Sequence, residues 1–126
     1  MDLGITGRIA LISGADSGMG KETARQLLQA GVRVAITDLA DGTLDEALTE
    51  LSPLGEVIAI TGDVTRAADV DAIWAKVRAD LGEPDIFVNA AGVTGATGDF
   101  LDVDDAGWLR TLDINLMGAV RMCRQA

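Results

Sequence analysis

A glycine-rich turn near the N-terminus has the residue types and spacing of a phosphate-binding loop. Its three glycines follow an apolar run with the spacing G-x-x-x-G-x-G. The first permits a tight turn, the second lets the backbone approach a pyrophosphate, and the third leaves room for a helix to pack on a sheet. The N-terminus of that helix offers unpaired N–H groups and a partial positive charge. We therefore predict dinucleotide pyrophosphate binding by Gly14, Asp16, Ser17, Gly18, Met19 and Gly20.

A carboxylate follows the glycine turn at the sequence separation that is typical of dinucleotide-binding sites. Asp38 ends the second apolar run, 18 residues after Gly20. A carboxylate at this spacing accepts hydrogen bonds from the adenosine ribose hydroxyls. It also repels a 2′-phosphate by about 1–4 kcal/mol at ~4 Å. Ser17 and Leu39 stand where a phosphate-accepting site would carry a basic residue, so the sequence predicts NAD rather than NADP.

Short β-branched runs alternate with longer amphipathic stretches, and these elements must position the motifs. Strands are expected at Arg8–Ser13, Val32–Thr37, Val57–Ile60 and Asp85–Asn89. Helices are expected at Met19–Ala30 and Thr43–Leu51, after Thr65 up to Gly82, and from Asp104 or Asp105 onward. This alternation predicts parallel strands with helices on both faces, a doubly wound α/β sheet. Ligands of such sheets bind at the carboxyl ends of the strands, where the polar motifs lie.

Apolar periodicity predicts which helix faces are buried. The buried face of the first helix is expected to hold Met19, Thr23, Ala24, Leu27 and Leu28. The third helix, with Thr65 as its N-cap, is expected to bury Val70, Ile73, Trp74, Val77 and Leu81. The last is expected to bury Leu109, Leu112, Leu116, Val120 and Cys123. Ile114, Met117 and Arg121 then face away from this stripe and could contact another subunit.

Composition excludes several partners and kinds of chemistry. The chain has 126 residues, enough for one domain, and a net charge of −10, which argues against nucleic acid or an anionic membrane surface as partner. It has no histidine, so the commonest general base and zinc ligand are missing, and no metal site is expected. Its single cysteine fits a reducing cytoplasm. Neither a membrane-spanning run nor a basic signal-peptide region occurs in the sequence.

The motifs together resemble the short-chain dehydrogenases/reductases. The Gly14–Gly20 turn is similar to that family's T-G-x-x-x-G-x-G, with Ser13 in place of threonine. Gly62-Asp63-Val64 resembles its adenine-contacting pair, and Asn89-Ala90-Ala91-Gly92 resembles its N-[NA]-A-G motif. Asp113–Leu116 is similar to the segment that carries its active-site asparagine. The resemblance covers the whole chain, with the four motifs in family order.

The resemblance implies a fold, a reaction and roles for these residues. The fold would be a Rossmann-like doubly wound parallel sheet, in its N-terminal βαβαβαβα portion with the later strands absent. Asp63 and Val64 would contact adenine, and Asn89, Ala90, Ala91 and Gly92 would support the sheet and line the cofactor cleft. Asn115 would interrupt its helix so that a carbonyl holds a water of a proton relay. The reaction would be hydride transfer between nicotinamide and a small alcohol or carbonyl substrate, in a homo-oligomer.

Three catalytic groups of the family have no counterpart in this sequence. The family uses a tyrosine as general acid/base, a lysine four residues later and a substrate-polarising serine, all beyond its asparagine helix. The chain has no tyrosine, and Lys21 and Lys76 lie in other predicted helices. We therefore expect residues 1–126 to be the N-terminal, cofactor-binding part of a longer single-domain enzyme, catalytically incomplete alone.

Alternative interpretations remain for the chain and for single residues. The chain could be a non-catalytic NAD-binding or assembly module, or a methyltransferase with a similar glycine turn, although the latter explains neither Asn89 nor Asn115. The glycine turn could bind nothing, and Asp38 could be a solvated loop residue. Asp63 could cap a helix, Asn89 could be mainly structural, and Asn115 could be an ordinary polar flank residue. Cys123 is expected in the core rather than as a nucleophile.

Overall fold

Parallel strands form the centre of the molecule. The computed structural model describes residues 1–39 and 42–126. The strands in these ranges are β1 (Ile9–Ser13), β2 (Arg33–Asp38), β3 (Val57–Thr61) and β4 (Ile86–Asn89). They form one parallel sheet in the order β3-β2-β1-β4, with Ser13 of β1 beside Thr37 of β2 and Asn89 of β4. The order reverses between β2 and β4 on either side of β1, which is where a doubly wound sheet binds ligands.

Helices cover both faces of this sheet. They are α1 (Gly18–Gln29), α2 (Thr43–Leu51), α3 (Ala67–Asp80), α4 (Asp105–Leu112) and α5 (Gly118–Gln125). Short 3₁₀ turns lie at Ser52–Leu54 and Phe100–Asp102, and one π-helical turn, Asp113–Met117, joins α4 to α5. The predicted parallel α/β architecture is confirmed, with strand and helix ends within one or two residues of the predicted ones except in the last helix.

The alternation of side chains along the strands divides the core into two layers. Ala10 and Ile12 of β1 pack with α1 and α2 on one face, through residues such as Ala24 and Leu44. Leu11 of β1 packs with α3 and α5 on the other face, and the stripe predicted for the third helix is buried there: Val70, Ile73, Trp74, Val77 and Leu81. Both layers are therefore built by the same strands.

The first helix buries a face that differs partly from the predicted one. Gly20, Ala24 and Leu28 are buried, whereas Met19 is 85% exposed. Met19 lies in the first turn of α1 and is exposed at the carboxyl ends of the strands rather than packed on the sheet. Its prediction as a core residue is wrong.

Thr65 is not the N-cap of α3. The helix begins at Ala67 and has no side-chain cap at Arg66. Thr65 instead donates both its backbone N–H and its hydroxyl to the Asp63 carboxylate, at 2.9 and 2.7 Å. Asp63 therefore stabilises the turn that precedes the helix, as aspartates commonly do two residues before a backbone N–H.

The predicted apolar stripe of the last helix is wrong. Leu109, Leu112 and Leu116 are 66%, 47% and 55% exposed and Cys123 is exposed, whereas Gly118 and Met122 are buried. In the π turn the Gly118 N–H bonds to the Asp113 carbonyl, five residues back, so the following turn rotates relative to a continuous α-helix. A 3.6-residue period extrapolated through this turn therefore assigns the wrong face to α5, whereas α4, which precedes the turn, buries none of its residues. The Asp104 side chain caps α4 by accepting from the Gly107 N–H at 2.9 Å.

Alanine substitutions distinguish the observed face from the predicted one. Met122→Ala should lower the free energy of unfolding by about 2–5 kcal/mol, because it removes a fully buried side chain. Leu109→Ala should change it by less than about 0.5 kcal/mol, because that side chain is mostly exposed. Urea unfolding followed by circular dichroism measures both. A larger loss for Leu109→Ala than for Met122→Ala would contradict the observed packing.

Candidate functional site

A cleft of about 700 Å³ lies at the carboxyl ends of the four strands. The loops after all four strands line it, together with α4 and the π turn. It brings together all but one of the residues predicted to bind a cofactor: Gly14, Asp16, Ser17, Gly18, Met19, Gly20, Asp38, Leu39, Asp63, Val64, Ala90, Ala91 and Gly92. Asn89, the exception, and Asn115 are not among the lining residues. The cleft thus lies at the reversal of strand order.

Backbone geometry distinguishes the three glycines of the turn. Gly14 has φ +69°, and a Cβ there would overlap the backbone of Ala90 and Ala91. A Cβ at Gly20 would overlap the carbonyl of Gly14. Gly18 differs, because a Cβ there would meet no protein atom within 4 Å. Gly14 and Gly20 are therefore needed for close contacts inside the protein, whereas Gly18 faces open space.

The first turn of α1 can hold an anion in that space. The helix begins at Gly18, and its first backbone bond runs from the Lys21 N–H to the Ser17 carbonyl, at 3.3 Å. The N–H groups of the preceding helical residues have no partner within the helix, as at any helix N-terminus. The Ser17 side chain does not cap them. These donors and the helix dipole suit a phosphate group.

Two carboxylates lie together on the β2 side of the cleft. Asp38 accepts from the Leu39 N–H at 2.8 Å and makes a long 3.5 Å contact with the Asp16 N–H. Asp16 accepts from the Thr43 and Ser17 hydroxyls at 2.7 and 3.1 Å. Burial, together with the neighbouring Asp16 carboxylate, raises the pKa of Asp38 to about 6. Burial also opposes ionisation of Asp16, but its hydrogen bonds with Thr43, Asp38 and Ser17 outweigh this and lower its pKa.

Asp63 is an ionised acceptor on the β3 side of the cleft. The hydroxyl and backbone N–H of Thr65 lower its pKa, and the charges of Arg66 and Arg121 contribute further. Both Thr65 bonds go to Oδ1. Among residues 1–39 and 42–126 no donor bonds to Oδ2, so this oxygen can accept a hydrogen bond from a ligand.

Asn89 joins two strand ends beneath the cleft. The Ser13 hydroxyl donates to Asn89 Oδ1 at 3.0 Å, and the Ala90 N–H donates to the Ser13 carbonyl at 3.0 Å. These bonds fix the end of β4 against the end of β1. In this structure the Asn89 side chain is a structural link.

Asn115 connects the π turn to the loop after β4. Its side-chain amide donates to the Val93 carbonyl at 2.8 Å, and its Oδ1 accepts from the Val93 N–H at 2.8 Å. Asn115 thus satisfies both backbone groups of Val93, as a neighbouring strand would. The π turn around it interrupts the regular helix at this residue.

Several lining residues were not predicted. Arg110 is the one cation among the residues that line the cleft, and Asp113 and Ile114 lie beside it. These three follow the i, i+3, i+4 spacing of one helix face, a pattern that could have grouped Arg110 with the asparagine motif. No cluster of His, Cys, Asp or Glu in the described ranges has the geometry of a metal site.

Solved structures share this architecture. An actinorhodin polyketide ketoreductase with NADPH superposes with a TM-score of 0.90 at 34% identity, over 94% of this chain and 45% of that one. An NAD⁺-bound xylitol dehydrogenase superposes with a TM-score of 0.92 at 28% identity, over 96% and 47%. An uncharacterized oxidoreductase of Bacillus subtilis (strain 168) is 36% identical over 124 residues, covering 98% of this chain and 46% of the relative.

The parallel sheet, the glycine turn and the cleft at the strand ends define a Rossmann-like nucleotide-binding fold. The family model of the short chain dehydrogenases matches residues 8–126. The chain belongs to this oxidoreductase family, and it spans about half the length of the relatives it matches. None of the helices in residues 1–39 and 42–126 is long and apolar enough to cross a membrane.

The raised pKa of Asp38 predicts a pH-dependent stability. Because folding raises this pKa above its ordinary value of 3.8, the folded state becomes less stable as the pH rises from about 4 through about 6. Asp38→Asn should therefore raise the melting temperature at pH ~7.5, by roughly 2–6 °C, and by less at pH ~5. Calorimetry at both pH values measures this.

Asp99→Asn is the matched control for this measurement, since Asp99 is exposed and outside the cleft. Its melting temperature should follow that of the wild type at both pH values. A stabilisation by Asp38→Asn that does not grow with pH would contradict the assignment.

Proposed function

We propose that the chain is the cofactor-binding part of an NAD-dependent oxidoreductase that transfers hydride between nicotinamide and a hydroxyl or carbonyl carbon. One observation carries the proposal: the anion-binding turn, Asp38 and Asp63 line the same cleft at the strand ends. Residues 1–126 would then be the N-terminal part of a longer single-domain enzyme. The two solved structures described above are a polyketide ketoreductase and a xylitol dehydrogenase by name, which supports a small alcohol or carbonyl substrate.

The positions of the residues in the cleft fit a dinucleotide bound in one orientation. The N–H groups at Gly18 would bind the pyrophosphate, and the open space at that glycine allows its close approach. Asp38 would accept from the adenosine ribose hydroxyls, and Asp63 from the adenine amino group. Ala90, Ala91 and Gly92 would then line the way to the nicotinamide end, near Asn115, with Asn89 supporting them from beneath the cleft. When bound, nicotinamide supplies the hydride donor or acceptor.

The charges around Asp38 support NAD over NADP. Asp16 adds a second carboxylate beside Asp38. The sequence has no lysine or arginine between Arg33 and Arg66, so no basic residue of this segment can neutralise a 2′-phosphate. Relatives with this fold include one solved with NADPH and one with NAD⁺, so the choice depends on these local residues.

A homo-oligomer and a cytoplasmic location complete the proposal. The exposed leucines of α4 and the π turn, Leu109, Leu112 and Leu116, form an apolar surface suited to another subunit or a further part of the same enzyme. The predicted contact through Arg121 is replaced by this surface, because Arg121 bonds inward to Asp113 and Val64. The single cysteine fits a reducing compartment.

Nucleotide titrations test the cofactor assignment. The wild-type chain should bind NAD⁺ at least about tenfold more tightly than NADP⁺, the effect of about 1.4 kcal/mol of repulsion. Asp38→Asn should weaken NAD⁺ about tenfold and bring the two affinities within roughly threefold of each other. Isothermal titration calorimetry measures all four values, with Asp99→Asn as the unaffected control. Equal wild-type affinities would refute the preference, and absence of binding would refute the function.

The chain alone should bind the cofactor but catalyse no hydride transfer. With no tyrosine in the sequence, the expected general acid is missing, which costs about 10²–10⁴-fold or more in rate. Nicotinamide absorbance with simple alcohols and ketones measures turnover, and a full-length relative is the positive control. Turnover by the isolated chain would contradict the assignment of the general acid to a further segment. If the chain binds NAD and is not part of a longer, active enzyme, the alternative of a non-catalytic binding module would be supported.

A further inference from the structure

One arginine joins two walls of the cleft without lining it. Arg121 on α5 donates to the Val64 carbonyl, in the loop after β3, at 3.1 Å. It also donates to the carboxylate and the carbonyl of Asp113 in the π turn, at 2.6 and 3.3 Å. Only 21% of its side chain is exposed. Because a guanidinium presents its donors in a rigid plane, these acceptors are held in one fixed arrangement.

A glycine on α5 brings the same segments into direct contact. A Cβ at Gly118 would lie 2.7 Å from Val64 Cγ2, closer than such atoms approach in proteins. The helix and the loop after β3 therefore touch with no side chain of Gly118 between them. The Gly118 contact and the Arg121 hydrogen bonds together determine their separation. Val64 and Asp113 both line the cleft, so this separation is also a dimension of the cleft.

The π turn is held from its other side as well. Asn115 bonds to both backbone groups of Val93, in the loop after β4. The turn is thus fixed between the loop after β3 and the loop after β4, by Arg121 on one side and Asn115 on the other. A displacement of either loop changes the position of the turn relative to the other loop.

We propose that Arg121 is a positioning residue for nucleotide binding, which holds the Asp63–Val64 loop against the π turn and thereby sets the position of Asp63, the acceptor at the adenosine end of the cleft. This inference rests on the proposed function, which places adenine beside Asp63. Arg121 acts through Val64 and Asp113 and touches no nucleotide itself. Its charge also favours the ionised Asp63 that would accept from adenine.

Binding of adenosine monophosphate to variants of this contact tests the proposal. Arg121→Gln removes the charge and the planar donors, and should weaken both adenosine monophosphate and NAD⁺ by the same factor, about tenfold. Arg121→Lys keeps the charge with fewer fixed donors and should recover part of the affinity. Gly118→Ala keeps Arg121 but forces Val64 away, and should also weaken both ligands. Titration calorimetry gives the affinities, and circular dichroism verifies that each variant is folded.

Arg124→Gln is the matched control. Arg124 lies one turn further along α5, is exposed, and has no side-chain bond within residues 1–39 and 42–126, so its substitution should change either affinity by less than about twofold. Unchanged adenosine monophosphate binding in folded Arg121→Gln and Gly118→Ala would overturn the positioning role while leaving the proposed function intact. If Arg121→Gln does not fold, Arg121→Lys and Gly118→Ala decide, and wild-type affinity in both would overturn the inference. A wild-type chain that binds neither ligand would overturn the proposed function itself.

Discussion

The close approach of the glycine turn to the loop after β4 is the constraint on which the rest of the structure depends. Gly14 leaves no space for a side chain against Ala90 and Ala91, and Gly20 leaves none against the Gly14 carbonyl. Backbone therefore packs directly against backbone where the glycine turn meets the loop after β4 and the start of α1. The bond between Ser13 and Asn89 fixes the two strand ends beneath these contacts. Because the glycine turn and the ends of β1 and β4 are fixed in this way, the shape of the cleft depends on the other segments that surround it.

Those segments are positioned by a local irregularity. A π turn has poorer hydrogen-bond geometry than an α-helix and occurs mostly as single turns at functional positions. Here its cost is offset by bonds to two other segments: Asn115 to Val93, and Asp113 through Arg121 to Val64. The same five residues thus connect the loops after β3 and β4. In a regular helix the side chains of Arg121 and Asn115 would point in different directions around the helix axis. They could not then bond to both loops as they do in the structure.

The features that could be predicted depend on interactions between residues close in sequence. Those that could not be predicted depend mostly on contacts between residues far apart in sequence. The strands and the stripe of α3, from Val70 to Leu81, follow from local periodicity and were predicted. The glycine turn and Asp38 followed from spacing, because a sheet of this class brings strand ends together. The burial of Met122 in place of Cys123 did not follow, since the π turn that rotates α5 is stabilised by Val64 and Val93, both distant in sequence. Thr65 was wrongly predicted as the N-cap of α3. A threonine at this position can either cap the helix or bond to Asp63, and here the helix begins two residues later, at Ala67, so Thr65 bonds to Asp63.

Under the proposed function, the negative charge of the cleft favours NAD over NADP and also lowers the stability of the folded protein. Asp16, Asp38, Asp63 and Asp113 line it with a single cation, Arg110, in a chain of net charge −10. This field repels an anionic pyrophosphate at long range, so affinity has to come from short-range donors such as the N–H groups at the start of α1. Burial and the neighbouring Asp16 carboxylate oppose the ionisation of Asp38 and raise its pKa to about 6. Ribose hydroxyls would donate to it and relieve this opposition, whereas a 2′-phosphate would increase it. Under the proposed function, the preference for NAD over NADP and the loss of stability on ionisation of Asp38 therefore have the same physical origin.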